Sequence, residues 1–300
     1  MDEERSITWA GVVAVIAIVS AVAAVVVTRP GSGSDGLTTI ERIRRQGSVR
    51  IGFANEVPYG YLDTDTGRVT GEAPEIARAV FARMGIADVE AVSTDFGSLI
   101  PGLEAGRFDV IAAGMYVTPE RCRQIAFSNP TYRIGEALIV ARGNPAELHG
   151  FEDVLAKRGV KLGVVAGAVE LTYARRLGIP ENQLVLYGDN VSALEGVRSG
   201  HIGAFACTTL TALSLLQRAE DAGLELAEPM RQPIIDEVEQ VGYGAFGIRR
   251  ADDGLRRALN EQLARFIGSA EHLDLVRPFG FAAATLPGDT ATRDLCDTAG

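Results

Sequence analysis

The chain has 300 residues, of which 47% are hydrophobic and 23% charged, so it can build a folded core and is not a low-complexity sequence. Its 39 acidic residues outnumber its 29 basic residues, and the formal net charge of -10 leaves little cationic surface for binding nucleic acid. The three histidines and three cysteines lack the spacing of a zinc, haem or iron–sulfur motif, so we predict no metal and no cofactor.

The first element along the chain is an uncharged apolar run over residues 9–27, WAGVVAVIAIVSAVAAVVV. It has the length of a bilayer-spanning helix. A Gly/Ser-rich segment follows up to residue 36 and reads as a flexible linker. Because the chain begins with acidic rather than basic residues, we favour an uncleaved membrane anchor over a removed signal peptide. Residues 1–36 are therefore predicted to tether the remaining body to a membrane.

An internal repeat organises that body. Residues 95–114, DFGSLIPGLEAGRFDVIAAG, match residues 189–208, DNVSALEGVRSGHIGAFACT. Each copy predicts a short helix that ends at a glycine suited to a left-handed cap, followed by a buried strand. Upstream, a strand over residues 49–54 corresponds to one over residues 162–166, and the helices between also match. The pattern predicts two β-α-β-α-β units and thus two α/β lobes.

Two such lobes enclose a cleft, and ligands of parallel sheets bind beyond the carboxyl ends of the strands. We predict crossings between the lobes near residues 137–145 and 242–250. A closing helix that contains Leu255, Leu259 and Leu263 returns the chain to the first lobe. The predicted organisation is lobe 1 over residues 37–140, lobe 2 over 141–243, a return to lobe 1 over 244–284 and a polar tail over 285–300.

Residues 37–281, with the string GMYVTPERCRQIAFSNPTY, resemble the extracytoplasmic solute-binding proteins of ABC importers, in the class that binds amino acids and related zwitterions. The strings FANEVPYGYLD, GEAPEIAR, KLGVVAGAVE and RPFGF are similar to the ectoine- and hydroxyectoine-binding members of that class. The resemblance implies an α/β two-lobed, type II periplasmic-binding-protein-like fold. It also implies a monomer outside the cytoplasm that captures a small zwitterionic solute by cleft closure for the permease subunits of an ABC transporter.

The resemblance places the carboxylate-binding arginine on Arg121, within a Thr-Pro-Glu-Arg string. A guanidinium suits this role because its paired donors match both oxygens of a carboxylate. The resemblance also places an aromatic box on Tyr59, Phe96 and Tyr116. Ectoine carries a delocalised ring cation, and aromatic faces attract such a charge.

Two carboxylates complete the site that the resemblance implies. Glu56 accepts hydrogen bonds from the ring N–H groups, while Glu170 and the backbone N–H near Val169 close the site from the second lobe. The amino-acid binders commonly carry an aspartate for the α-ammonium group where this chain has Thr208. The acid of the first copy, Asp109, aligns instead with Gly203, and we interpret it as structural.

Other functions remain open on the sequence. A polar amino-acid-binding protein has the same scaffold, and so does a cyclohexadienyl dehydratase, in which Glu56 or Glu170 would serve as acid or base. A sensory binding module is compatible with the anchor. The aromatic box favours retention of an intact solute, so we predict no enzymatic activity. The GYGAFG string at residues 242–247 satisfies a nucleotide-binding pattern, but its position favours a hinge strand.

The cysteines are interpreted as unpaired. Cys122 reads as a small packing residue, Cys207 follows a buried strand, and Cys296 lies in the polar tail. We predict no disulfide, although an oxidising compartment permits one.

Overall fold

The computed structural model describes residues 36–219 and 223–297, and the described residues from Thr38 onward form one compact unit. The predicted anchor over residues 9–27 lies outside the described residues. Across the ranges that are described, no helix is both long and apolar enough to cross a bilayer. The strands are β1 Ser48–Phe53, β2 Tyr61–Leu62, β3 Val69–Thr70, β4 Asp88–Ser93, β5 Val110–Ile111, β6 Ala126–Phe127, β7 Tyr132–Ile134, β8 Glu136–Ala141, β9 Leu162–Val165, β10 Leu184–Tyr187, β11 Ala204–Thr208, β12 Leu224–Leu226, β13 Ile234–Ile235, β14 Val238–Glu239, β15 Gly242–Gly244 and β16 Gly247–Ile248. The α-helices are α1 Thr39–Gln46, α2 Glu72–Arg83, α3 Leu99–Glu104, α4 Pro119–Gln124, α5 Phe151–Ala156, α6 Val169–Arg176, α7 Asn190–Arg198, α8 Thr209–Ala219, α9 Asp253–Phe266, α10 Ala270–Val276 and α11 Thr292–Asp297, and short 3-10 helices cover Phe96–Ser98, Glu181–Gln183, Arg277–Phe279 and Ala283–Thr285.

Two five-stranded sheets form the centres of the two lobes, with the orders β4-β1-β5-β16-β6 and β10-β9-β11-β8-β12. In each sheet the three strands of the repeat unit are parallel and lie in the order second, first, third. The remaining strands join antiparallel. The two-lobed α/β fold predicted from the sequence is confirmed.

The glycines that end the repeated helices have the conformation that the sequence predicted. Gly106 and Gly200 follow α3 and α7 with φ of +70° and +72°, and Gly85 and Gly178 follow α2 and α6 with φ of +79° and +87°. Side chains with a Cβ avoid this left-handed region, whereas glycine enters it without steric cost. In both lobes, each of these glycine turns therefore reverses the chain between a helix and the next parallel strand.

Apolar helix faces cover the first sheet. Ile76, Val80 and Phe81 of α2 are fully buried, as are Leu259 and Phe266 of α9. The helix α9 packs against both α1 and α2, so the C-terminal part of the chain completes the core of lobe 1. Lobe 1 is therefore discontinuous in sequence, and two chain crossings join it to lobe 2.

The first crossing lies earlier than the sequence predicted. The sequence predicts the crossing at residues 137–145, but β8 pairs with β11 and β12 inside the second sheet. The apolar run of β8 arises because both faces of this strand are buried. From the sequence alone, such a run fits a central sheet strand and a crossing strand equally well. The crossing is formed instead by β7, which pairs antiparallel with β15 of the return crossing. Lobe 2 thus begins at Glu136, and the boundary placed after residue 140 is wrong.

Asp109 lies at the amino end of β5, away from the carboxyl ends that face the cleft. It is fully buried and pairs with Arg42 at 2.5 Å, Arg50 at 3.1 Å and Arg249 at 3.5 Å. Burial alone would raise the pKa of Asp109, but hydrogen bonds from Arg50 and the charge of Arg42 hold it below the usual value. This network links α1, β1 and the segment after β16, which agrees with a structural role.

The prediction that all cysteines are unpaired is wrong. Cys122 at the middle of α4 forms a disulfide with Cys296 of α11, while Cys207 is free and buried. The predicted polar tail therefore contains a helix that packs against α4. The partners are 174 residues apart in sequence, so spacing gave no indication that the fold brings them together.

Reduction of this disulfide should lower the free energy of unfolding by about 2–4 kcal/mol, because the bond restricts the unfolded chain over a long loop. Urea unfolding followed by circular dichroism, with and without reductant, measures the change. A Cys122→Ser/Cys296→Ser variant serves as the control and should not respond to reductant. Equal unfolding midpoints for the oxidised and reduced wild-type protein would contradict the prediction.

Candidate functional site

A directed chain of hydroxyl groups joins the two lobes at the cleft. Tyr59, from the loop after β1, shares a hydrogen bond of 2.7 Å with the Thr208 hydroxyl at the end of β11. The Thr208 hydroxyl donates to Thr211 at 3.0 Å, and the Thr211 hydroxyl donates to Oε1 of Glu56 at 2.9 Å. Tyr59 and Glu56 belong to lobe 1 and both threonines to lobe 2, so the structure is in a closed form.

Arg121 also spans the cleft. Thr118 caps α4 by accepting the backbone N–H of Arg121, and Pro119 occupies the first helical position, where its missing N–H costs no hydrogen bond. The guanidinium donates to the carbonyl of Tyr116 at 2.8 Å and to the carbonyl of Gly167 in lobe 2 at 3.0 Å. Only 8% of Arg121 is exposed. A guanidinium held between two carbonyls is positioned to exchange them for the oxygens of a carboxylate.

The predicted aromatic residues divide into two places. Tyr59 and Tyr116 are buried, and both pack against Tyr132, with ring centroids 5.2 Å and 6.3 Å away from its ring. Phe96 is half-buried and lies beneath Arg121, with the guanidinium carbon 5.5 Å from the ring centroid. The structure thus provides a tyrosine cluster and, next to the carboxylate-binding group, a separate aromatic face.

Two glycines of β15 make room for the tyrosine cluster. A Cβ at Gly242 would collide with the Tyr116 ring, and one at Gly244 would collide with the Tyr132 ring. Tyr116 also forms a β-bridge to Gly244, and the Tyr132 hydroxyl donates to the carbonyl of Gly114 at 2.7 Å. The glycines therefore let the crossing strand approach the tyrosine rings. This close packing accounts for the glycine-rich string without a nucleotide-binding role.

Three carboxylates converge on the same space, one more than the sequence predicted. Burial, together with the charge of Glu170, raises the pKa of Glu56 to about 7. Burial also raises the pKa of Glu170, which lies in the first turn of α6 with its side chain 95% buried. The third is Glu136 at the start of β8, which is 1% exposed. In the described part of the chain, no group of His, Cys, Asp or Glu side chains is arranged to hold a metal ion.

The start of α6 forms the lobe 2 wall opposite Phe96. Val169 is its first helical residue, and Gly167 precedes it with φ of +81°. A Cβ at Gly167 would stand 2.7 Å from the Cα of Gly97, and one at Gly97 would stand 3.3 Å from the carbonyl oxygen of Ala166. The backbones of the two lobes therefore touch at these glycines. A helix start favours an anion, because its first N–H groups have no carbonyl partner inside the helix.

The structure brings all the predicted site residues to the cleft, and it adds Tyr132, Glu136 and Thr211. Tyr132 could have been found from the paired glycines of β15, since alternate small residues in a strand indicate close packing by large rings. Glu136 opens the run EALIVA and reads as the polar edge of a strand. Thr211 is one hydroxyl among several in TTLTALS and gave no signal.

Residues 49–280 match the family model of the bacterial extracellular solute-binding proteins, family 3. The chain belongs to this family. It is similar to a probable amino-acid ABC transporter periplasmic-binding protein of Sinorhizobium fredii, with 37% identity over 266 residues that cover 87% of each protein. The protein is accordingly an extracytoplasmic solute-binding protein of an ABC importer and not an enzyme.

Two solved structures are similar to this chain over both of its lobes. EhuB in complex with hydroxyectoine superposes with a TM-score of 0.79 at 33% identity, over 87% of this chain and 98% of that one. The ancestral amino acid-binding protein AncCDT-1, a precursor of cyclohexadienyl dehydratase, superposes with a TM-score of 0.70 at 26% identity, over 81% and 99% of the two chains. Both are similar to this family 3 protein over its two lobes. As a member of the family it takes a small-molecule ligand and has ABC permease subunits as partners.

Proposed function

We propose that the cleft binds ectoine or hydroxyectoine, a zwitterion with one carboxylate and one delocalised ring cation. The observation that carries the proposal is the placement of a buried guanidinium, Arg121, beside aromatic faces within one closed cleft. A guanidinium binds a carboxylate through two parallel hydrogen bonds, and aromatic faces attract a cation. One small molecule that carries both groups satisfies both halves of the site.

The two ends of the ligand are assigned to different parts of the cleft. The carboxylate takes the place of the carbonyls on Arg121 and accepts the backbone N–H of Val169 at the helix start. The ring cation lies against Tyr59 and Tyr116, with Glu56 and Glu170 accepting its N–H groups. Ligand contacts then come from both lobes, so the ligand stabilises the closed form over the open one.

Thr208 supports this ligand over an ordinary α-amino acid. A threonine hydroxyl is neutral, so it offers no negative charge to an α-ammonium group, and this one is already engaged with Tyr59 and Thr211. A polar or cationic amino acid remains the second candidate, because the buried carboxylates Glu136 and Glu170 could accept an ammonium group and the Sinorhizobium relative is a probable amino-acid binder.

Calorimetric titration of the full-length protein separates the two candidates. Ectoine and hydroxyectoine are compared with glutamine, arginine, proline and glycine betaine. Saturable binding of the ectoines alone supports the proposal. Tighter binding of an amino acid would replace it with the second candidate.

Phe96→Ala should weaken ectoine binding by about 0.5–2 kcal/mol, because the variant removes the aromatic face beneath the Arg121 guanidinium that binds the ligand carboxylate. Phe96→Leu is the matched variant, since it keeps apolar volume and loses the ring quadrupole. If the ring quadrupole holds the Arg121 guanidinium in place, both variants lose affinity for ectoine to a similar degree by calorimetry. Full affinity in Phe96→Leu would mean that Phe96 contributes apolar packing and not its ring quadrupole. Full affinity in both variants would remove Phe96 from the site.

A further inference from the structure

Glu136 is a buried acid whose carboxylate no described residue satisfies. It is 1% exposed, and neither Oε1 nor Oε2 accepts a hydrogen bond from a donor group among the residues that the structure describes. Only its backbone is tied down, by reciprocal hydrogen bonds with the side chain of Gln232. Burial of an unpaired carboxylate is strongly unfavourable, so a group in this state points to a proton or a cationic partner.

The position of Glu136 directs it to the ligand space. It begins β8 and is the register partner of Thr208, the residue that reaches Tyr59 across the cleft. Its carboxyl group lies within hydrogen-bonding reach of that of Glu170. The titratable groups that face the pair are Tyr173 of α6, Glu56 and Tyr59 of the loop after β1, Tyr116 after β5, Cys207 of β11 and, on the side of Glu170, Arg121 of α4.

We propose that Glu136 contacts the ligand directly, that it shares one proton with Glu170 before the ligand arrives, and that the N–H donors of the ligand cation take the place of that proton. The inference rests on the proposed function, because it needs a ligand with a positive charge. On binding, the O–H bond of Glu136 breaks, the proton passes to the buffer, and the carboxylate accepts an N–H of the ligand.

The electrostatics of the pair agree with this exchange. Burial first, and the charge of Glu170 second, raise the pKa of Glu136 well above its ordinary value. Two carboxyl groups in contact titrate as a unit, with one proton held between them. Glu136 and Glu170 both belong to lobe 2, so opening of the cleft does not separate them. The shared proton is therefore assigned to the open protein that the ligand meets.

The exchange also restricts the class of ligand. A cation that replaces a proton between two carboxylates must itself donate hydrogen bonds, as the ring N–H groups of ectoine do. A quaternary ammonium compound such as glycine betaine has no N–H, and it would leave the oxygens of Glu136 unsatisfied. Glu136 thus selects N–H cations over methylated ones.

Proton counting by calorimetry tests the proposal. Ectoine is titrated into the full-length protein at pH 8, where Glu56 is largely ionised, in phosphate and in Tris, whose ionisation enthalpies differ. The wild-type protein should release about one proton per ligand, since the pair holds one to share. Its affinity should then fall about tenfold for each pH unit below the pKa of the pair, because a proton competes with the ligand.

Glu136→Gln should abolish the release, because the glutamine amide carries no ionisable proton. Glu72→Gln is the matched control, because Glu72 is equally buried and its pKa is raised to about 8, yet it bonds Thr131. This control should release as many protons as the wild type. Ectoine binding without proton release, or equal release from Glu136→Gln, would overturn the inference alone. No ectoine binding at all would overturn the proposed function and this inference with it. The number of protons released by the wild-type protein tests the inference even if Glu136→Gln does not fold.

Discussion

Arg121→Ala should reduce ligand affinity by about thirtyfold to several thousandfold as measured by calorimetry. The variant removes both donors to the ligand carboxylate and the bridge from the Tyr116 carbonyl to the Gly167 carbonyl across the cleft. Loss of one partner of a buried, hydrogen-bonded charge pair costs about 2–5 kcal/mol. The carboxylates around the site would then repel the anionic end of the ligand without any compensating charge.

Arg123→Ala is the matched control for this experiment. Arg123 lies on the same helix, two residues further on, and its side chain is exposed. The Arg123→Ala variant should bind the ligand with the affinity of the wild type. A loss of affinity confined to Arg121→Ala then excludes a general effect on α4. Binding retained by a folded Arg121→Ala protein would show that Arg121 does not hold the carboxylate.

Gly167→Ala should weaken ligand binding at least tenfold by obstructing closure. The new Cβ would stand 2.7 Å from the Cα of Gly97, and a backbone atom cannot rotate out of its way. The lobes must then stay apart, which lengthens the hydrogen bond from Arg121 to the Gly167 carbonyl. Calorimetry measures the affinity, and small-angle X-ray scattering measures whether ligand still reduces the radius of gyration.

Gly178→Ala separates this effect from backbone strain. Gly178 lies in the same lobe with φ of +87°, close to the +81° of Gly167, but nothing stands within 4 Å of its Cβ position. Both variants bear the cost of a left-handed alanine, about 1–2 kcal/mol of stability. Only Gly167→Ala should lose affinity. Equal affinities for the two variants would mean that the contact between the glycines does not limit closure.

The architecture was predictable because the repeat recurs at every level of the chain. The same glycine ends the same helix in both copies, and the following strand is apolar in both, so local and long-range signals agree. The first crossing was misplaced because β8 is buried on both faces, and a continuous apolar run carries no face periodicity. Its neighbour β7 has only three residues, too few to show a pattern.

Site residues could be predicted where a sequence motif marks them. They could not be predicted where only burial and neighbouring side chains give them a role. Arg121 stands in a distinctive string, and the tyrosines follow strand ends. Glu136 differs from an ordinary surface acid only through the desolvation that packing imposes and through its contact with Glu170, neither of which composition records. The disulfide between Cys122 and Cys296 likewise depends on the docking of a terminal helix, which the polar sequence of that helix does not reveal.

That disulfide has a practical consequence for any shortened form of the protein. A chain that stops before α11 loses Cys296 and leaves the thiol of Cys122 without its partner, one residue from Arg121. In an oxidising compartment, such a thiol can couple two molecules covalently. Truncation before α11 would therefore produce disulfide-linked pairs, in which the neighbouring molecule lies against the helix that carries Arg121. Recombinant forms intended for binding studies should retain the chain through residue 297.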